Sequence, residues 1–399
     1  MAQLPSLRAF YYKPEWRLFP VYTVILLLLF HNFVVAYLNS SYLEQFISPA
    51  GVGTIYTIGA AVSVLLFLLI SRVLQRVGNF KLTIAILVVN FIAVTGLAFA
   101  ESLRLAIPLF LVFLIAIPFL IFNLDVFLEE AIGSDETATG SRRGLLLTLG
   151  SLVGALSPLA GGLILDASNG AFMYAYLVSA GTLIPIILIL YIFLRGFSDP
   201  DYDEIDLFSA IRTFWVRQSM RNVFLAHFIL QVFFMMTVIY MPLYITSNIG
   251  LSWTGFGIIM FFGGMAYVLF EYPIGIIADK YIGEKEMMAV GFLILALTLS
   301  WMSFLTTVSL VIWSIVMFVM RIGASLVETT TESYFFKYTK SNDAQVISFF
   351  RVTRPLAYVI GTLFAGFCLL YLPFNLLFVM MALLMIPAMF LTSKIVDSK

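Results

Sequence analysis

Cysteine, histidine and charge are what this sequence has least of. One cysteine, Cys368, and two histidines stand among 399 residues, of which only 11% are charged. A lone cysteine excludes a disulfide within the chain and any cysteine-built metal cage. No GxxxxGK[ST] phosphate loop occurs, which argues against an ATP-driven pump. Lys plus Arg (22) balances Asp plus Glu (22), so no excess of either sign points to nucleic acid or to an acidic surface.

What fills the sequence instead is apolar. Hydrophobic residues make up 62% of it, and the mean hydropathy is +1.04. A soluble domain is roughly 45–50% apolar and about 25% charged. This composition cannot be hidden in a water-facing globule, so the bilayer is the solvent. Twelve spans of about 20 residues would take roughly 60% of the chain and leave only short connections. The first apolar run follows a few basic residues, exceeds signal-peptide length and lacks a small-residue cleavage site. It reads as a retained first span.

Hydropathy places spans near 18–38, 49–71, 82–100, 105–128, 144–165, 172–194, 222–246, 252–277, 287–306, 309–335, 347–370 and 373–393. One set of alternate loops, with both termini, carries almost all the Lys and Arg. The other set carries Arg104 alone. The positive-inside rule therefore predicts an integral multi-pass protein of the cytoplasmic (inner) membrane with both termini in the cytoplasm, and so an even number of spans. The longest polar stretch, 198–218, holds Asp199, Asp201, Asp203, Glu204 and Asp206. A metal site and a solvated linker are the two readings of these acids, and the linker is favoured. The predicted organisation is a six-helix bundle over 1–197, a cytoplasmic linker over 198–218 and a second six-helix bundle over 219–399, all-α.

The halves look like copies. Gly51, Gly53 and Gly59 recur 204 residues later as Gly255, Gly257 and Gly263. Pro118, Phe122, Asp125 and Glu129 align at an offset of 203 with Arg321, Ser325, Glu328 and Glu332. Gly162 matches Gly366, and Gly78 matches Gly283 with one residue inserted. Parallel six-span repeats imply two bundles related by an axis along the membrane normal, with a site between them at mid-membrane.

The loop Gly275-Ile-Ile-Ala-Asp279-Lys280-Tyr-Ile-Gly283-Glu284-Lys285, preceded by Glu271-Tyr-Pro273, resembles the GxxxDRxGRK signature of the major facilitator superfamily. The first-half copy runs Ser71-Arg-Val-Leu-Gln75-Arg76-Val-Gly78-Asn-Phe-Lys81, with Ser71 and Gln75 in place of the glycine and aspartate. In the fifth span, Gly150-Ser-Leu-Val-Gly154-Ala-Leu-Ser157-Pro158-Leu-Ala-Gly161-Gly162 is similar to the glycine-rich run of the family's drug exporters. Close packing of membrane helices is the competing reading of that run.

The resemblance implies a major facilitator fold and a gate network at the cytoplasmic ends. Asp125, Glu129, Glu328 and Glu332 would pair there with Arg76 and Lys280, and Asp279 would lie near Arg142 and Arg143. Asp125 or Glu328 as a proton carrier is the alternative. Arg321 falls almost at the middle of the tenth span, the most expensive depth for a charge. Glu271 is its nearest candidate partner, either in a structural ion pair or in substrate and proton handling. His31 reads as a hydrogen-bonded packing residue or, from its titration range, as a proton-coupling one. By analogy with the family's cavity-lining helices, Asn32, Tyr37, Asn123, Gln231 and Tyr240 join it along the cavity. The 39 Phe and 17 Met suit a partly apolar substrate.

The sequence thus predicts a monomeric secondary transporter without cofactor or metal, working by proton-coupled efflux of a small, partly apolar compound. Its partners would be the lipid bilayer, the small-molecule substrate and protons, with no nucleic acid. Uptake of a small nutrient is the alternative. A polytopic membrane enzyme would need a catalytic His/Asp or paired-acid set at a span, and only the 199–206 acids offer one. A scaffold would leave the intramembrane charges unexplained.

Overall fold

A computed structural model describes residues 14–67, 69–132, 136–200, 202, 212, 215–338, 350 and 352–396. Among these residues twelve helices are long and apolar enough to cross a membrane. They are α1 (Leu18–Glu44), α2 (Pro49–Phe67), α3 (Asn79–Ala98), α4 (Leu103–Ala131), α5 (Leu145–Ala167), α6 (Phe172–Leu194), α7 (Gln218–Asn248), α8 (Trp253–Ile277), α9 (Glu284–Ser303), α10 (Leu310–Phe335), α11 (Thr353–Tyr371) and α12 (Phe374–Ser393). The described residues contain no strand. In hydrocarbon every backbone N–H and C=O must be satisfied within its own segment, which is why such apolar runs fold as helices.

The observed spans agree with the expected ones to within a few residues, save at one place. α1 continues six residues past the predicted end, as a short helix Asn39–Glu44 set off by a turn at Tyr37 and Leu38. α11 is described from Thr353, and the expected start at 347 lies outside the described residues. Pro242 lies near the end of the α-helical part of α7, and the five-residue-spaced helix Leu243–Asn248 follows it.

The chain crosses back and forth, so its loops fall on two faces. The linker face carries the connection between α6 and α7, and the far face carries the turns after α1, α3, α5, α7, α9 and α11. Two seams join the helices before the linker to those after it: α2 against α11, and α5 against α8. A large buried cluster runs through both seams and includes Tyr56, Phe233, Tyr240, Phe256, Trp313 and Met320.

The two seams are copies in detail. A Cβ on Gly53 of α2 would collide with the Tyr240 hydroxyl and lie 3.5 Å from the Thr362 carbonyl of α11. One on Gly257 of α8 would lie 2.8 Å from Leu159 Cα and 2.9 Å from the Pro158 carbonyl of α5. Gly53 and Gly257 are 204 residues apart, as are Pro158 and Thr362. Inside each half the pattern repeats, with Gly59 against Leu114 of α4 and Gly263 against Met317 of α10. Gly78 and Gly283 stand immediately before α3 and α9 with φ of +83° and +110°, a conformation in which any side chain is strained. The correspondence stops at Gly366, which faces open space, whereas its copy Gly162 lies against the Trp253 carbonyl.

Candidate functional site

Arg321 is the charged group at the centre of the molecule. α10 carries it at mid-span, 7% exposed, with its stem against Gly263 of α8. Its Nη2 donates to the Tyr37 hydroxyl at 3.4 Å. The guanidinium carbon lies 5.8, 5.7 and 5.9 Å from the ring centroids of Phe233, Phe234 and Tyr267. These rings belong to α7 and α8, while Tyr37 stands at the turn in α1, in the other half of the molecule. Arg321 thus reaches across the seam. It makes no ion pair among the described residues, so the partner expected in Glu271 is replaced by the hydroxyls of Tyr37 and Tyr267 and three aromatic faces.

The carboxylates form a group of their own on the linker side of Arg321. Glu328 is within electrostatic reach of Glu332, Glu271, Arg354 and Arg321. Glu271, Glu328 and Glu332 are all half-buried, and Arg354 at the start of α11 is exposed. Among the described residues no acid, histidine or cysteine cluster is tight enough to hold a metal ion. Asp125 and Glu129, their counterparts on α4, are exposed.

His31 belongs to the interior of the first half. It is fully buried between α1, α3 and α6. Asn90 Nδ2 donates to its Nε2 at 3.0 Å, which leaves the proton on Nδ1, donated to the Ser179 carbonyl at 2.9 Å. The Ser179 hydroxyl returns a bond of 2.8 Å to the His31 carbonyl, and Phe113 meets the ring edge-on. Both ring nitrogens are spent on packing. In the second half Gln231 Nε2 donates to His227 Nε2 at 3.0 Å, and His227 Nδ1 lies 3.4 Å from Thr331 Oγ1, tying α7 to α10. Asn123 is fully buried and its side-chain amide has no hydrogen-bond partner among the described residues. Asn32 is half-buried, and Tyr240 is buried with its hydroxyl against Gly53.

The far face is sealed by polar contacts that sequence reading did not single out. Asp166, at the end of α5, accepts from the backbone N–H groups of Trp253 (3.2 Å) and Thr254 (2.7 Å) at the start of α8. A carboxylate there meets unpaired amides and the positive end of the helix dipole. Ser247 of α7 donates to Glu44 of α1 at 3.2 Å. Deeper, at mid-span, the Thr57 and Thr362 hydroxyls meet at 2.5 Å across α2 and α11. Tyr56 and Tyr358 lie beside them with rings tilted at 33° and centroids 6.3 Å apart. In the α5 run, Gly161 packs on the Val34 carbonyl of α1 and Gly162 on Trp253. Gly154 makes only ordinary contact, 3.8 Å, with Phe33.

On the linker face the first-half signature loop is held by the linker itself. Asp199 accepts from the Asn79 N–H at 2.6 Å, capping α3, and from the Tyr202 hydroxyl at 2.7 Å. Gln75 Nε2 donates to the Tyr202 carbonyl at 2.6 Å. Burial and the neighbouring Asp199 carboxylate push the Tyr202 phenol well above its ordinary range. The first of the linker acids is thus a helix cap and not merely solvated. Arg76 is exposed and forms no ion pair among the described residues. In the second-half loop Gly275 makes ordinary contact with Thr329, 3.8 Å away, and Glu284 is buried in an ion pair with Lys337. The side chains of Arg142, Arg143, Asp279 and Lys280 lie outside the described residues.

Residues 223–397 match the family model described as Major Facilitator Superfamily. The fold as a whole is similar to that of the nucleoside transporter NupG (TM-score 0.75, 11% identity, covering 94% of this chain and 99% of that one). It is equally similar to a POT family transporter solved with a thioalcohol-conjugated peptide (TM-score 0.75, 15% identity, 94% of each chain). A bacterial homologue of the human lysosomal transporter Spinster, solved inward-facing and unoccupied, gives a TM-score of 0.69 at 12% identity over 95% of each chain. At these identities the likeness is one of fold. No curated protein sequence matches the chain.

Proposed function

We propose that this chain, a twelve-helix member of the major facilitator superfamily, is a secondary transporter that exports a small, partly apolar compound in exchange for protons. The carrying observation is Arg321: a buried cation at mid-span with a hydrogen bond that crosses from one half of the molecule to the other. A charge held on a seam gains and loses its surroundings whenever the halves rock, which makes it a natural seat for a substrate in alternating access.

The basic loops put the linker face in the cytoplasm. The contacts at Asp166 and Glu44 then close the outside in this reading. Half-buried Glu271 and Glu328, on the cytoplasmic side of Arg321, are the proton carriers in this reading. Export is favoured over uptake by the α5 run, whose Pro158 and Gly162 backbone forms the seam with α8, as its likeness to the exporters' run implies. Purified protein in liposomes with an entrapped pH dye tests the proposal, with a pH gradient imposed in each orientation and amphiphiles of each charge as cargo. Substrate moving against proton flow, and that linkage lost in Glu271→Gln, is the expected result. Substrate moving with protons would make it an importer and reduce the α5 run to packing. Flux indifferent to the gradient would leave a uniporter whose acids are latches.

A further inference from the structure

Arg321 uses little of its bonding capacity. A guanidinium offers five N–H donors in a planar fork, yet among the described residues this one meets only two hydroxyls, that of Tyr37 at 3.4 Å and that of Tyr267. Its remaining neighbours are the rings of Phe233, Phe234 and Tyr267, which attract positive charge without taking directed hydrogen bonds at full strength. It has no carboxylate partner among those residues, although it is 7% exposed and at the depth where an unpaired charge is least tolerated. Three acids do stand nearby in the fold, but they gather around Glu328, about 10 Å along α10 at 1.5 Å per residue.

We infer that Arg321 is the receptor for a single anionic group, a carboxylate or sulfonate, on a substrate whose body is aromatic or otherwise apolar. The inference rests on reading this seam as the substrate site, and it adds the charge of what is bound. The fork matches the two oxygens of such a group. The ring cage of α7 and α8 accepts the apolar body, and Tyr37 supplies a hydroxyl from the other half. The Glu271–Glu328–Glu332 group repels a second negative charge on the cytoplasmic side, which restricts the site to monoanions.

The test is equilibrium binding to the purified full-length protein, by calorimetry and thermal shift, with no gradient present. The probes are phenylbutyrate and naphthalenesulfonate, with phenylbutyramide and phenylbutylammonium as neutral and cationic matches. Both anions should bind, the amide and the ammonium about tenfold or more weaker, because a buried donor set is left unpaired without its acceptor. Arg321→Gln should abolish the preference for the anion. Should Arg321→Gln fail to fold, the matched probes on the native protein still decide. Equal or tighter binding of the amide or ammonium would overturn the assignment, as would unaltered phenylbutyrate binding in Arg321→Gln or no binding of either anion at millimolar concentration. Anion binding without proton-linked flux would remove the export proposal and leave this one standing. Proton-linked export of cations alone would do the reverse.

Discussion

Two buried cationic or potentially cationic side chains, His31 and Arg321, show how far single residues can be read. Both stood out in the sequence as polar groups at membrane depth, and both are buried. What separates them is the partner list. His31 has each ring nitrogen committed within its own half, to Asn90 and Ser179, while Arg321 faces rings and one hydroxyl across a seam. Sequence spacing reports which residues share a helix face. It does not report how neighbouring helices are rotated, so neither the Asn90–Ser179 bracket nor the Tyr37–Phe233–Phe234–Tyr267 cage was legible, and Glu271 was assigned to Arg321 on proximity along the membrane normal alone. The difference has a measurable form. His31→Phe removes the acceptor of Asn90 and the ring donor to Ser179, and should cost about 1–2 kcal/mol. It should lower the melting temperature in detergent while leaving the proposed proton-linked flux per folded molecule at the native level. A loss of proton coupling in a stable His31→Phe protein would return His31 to the mechanism.

At the scale of elements, helix existence and order followed from hydropathy, because a bilayer gives an apolar run of this length few alternatives to a helix. The ends were harder. Asp199, read as a solvated linker acid, and Asp166, which the sequence did not single out, both cap helices: Asp199 the start of α3, Asp166 the start of α8. Each capping partner lies far along the chain, so no local motif announces it. The break in α1 at Tyr37 and Leu38 was equally silent, since the flanking segments are both apolar. Asp166→Asn keeps an acceptor oxygen but discards the charge facing the α8 amides, a loss of about 0.3–1 kcal/mol. If that contact belongs to the closed far face, the populations should move about two- to fivefold toward the open one. Pulsed-EPR distances between labels on Glu101→Cys and Thr306→Cys, in a Cys368→Ala background, would register the shift. An unmoved distribution would make Asp166 a cap without a gating role.

For the molecule as a whole, the internal repeat was visible in offsets of 203 and 204, and the structure gives those offsets a meaning. Gly53 with Thr362 and Gly257 with Pro158 are the same contact made twice, once on each seam. Alternating access requires both seams to open together on the far face. Thr57 and Thr362, whose hydroxyls meet at 2.5 Å, are placed to test this. Thr57→Cys combined with Thr362→Cys, again without Cys368, should form a disulfide on oxidation, since the side chains already converge. Flux should then fall to about a tenth or less and recover with reductant. Full flux in the cross-linked protein would mean that the α2–α11 seam does not part during transport.

The seams meet through glycine and bare backbone, and this divides the protein into parts that can drift and parts that cannot. Opposite Gly162 stands the Trp253 carbonyl, and opposite Gly257 the Pro158 carbonyl. Neither has a side-chain rotamer with which to yield to a larger neighbour. Phe233, Phe234 and Tyr267 can change size or polarity without touching those contacts, because they pack around Arg321 and not on the seam glycines. If the chain is the transporter proposed above, its descendants could acquire new cargo through a few ring substitutions while inheriting the same moving frame unaltered.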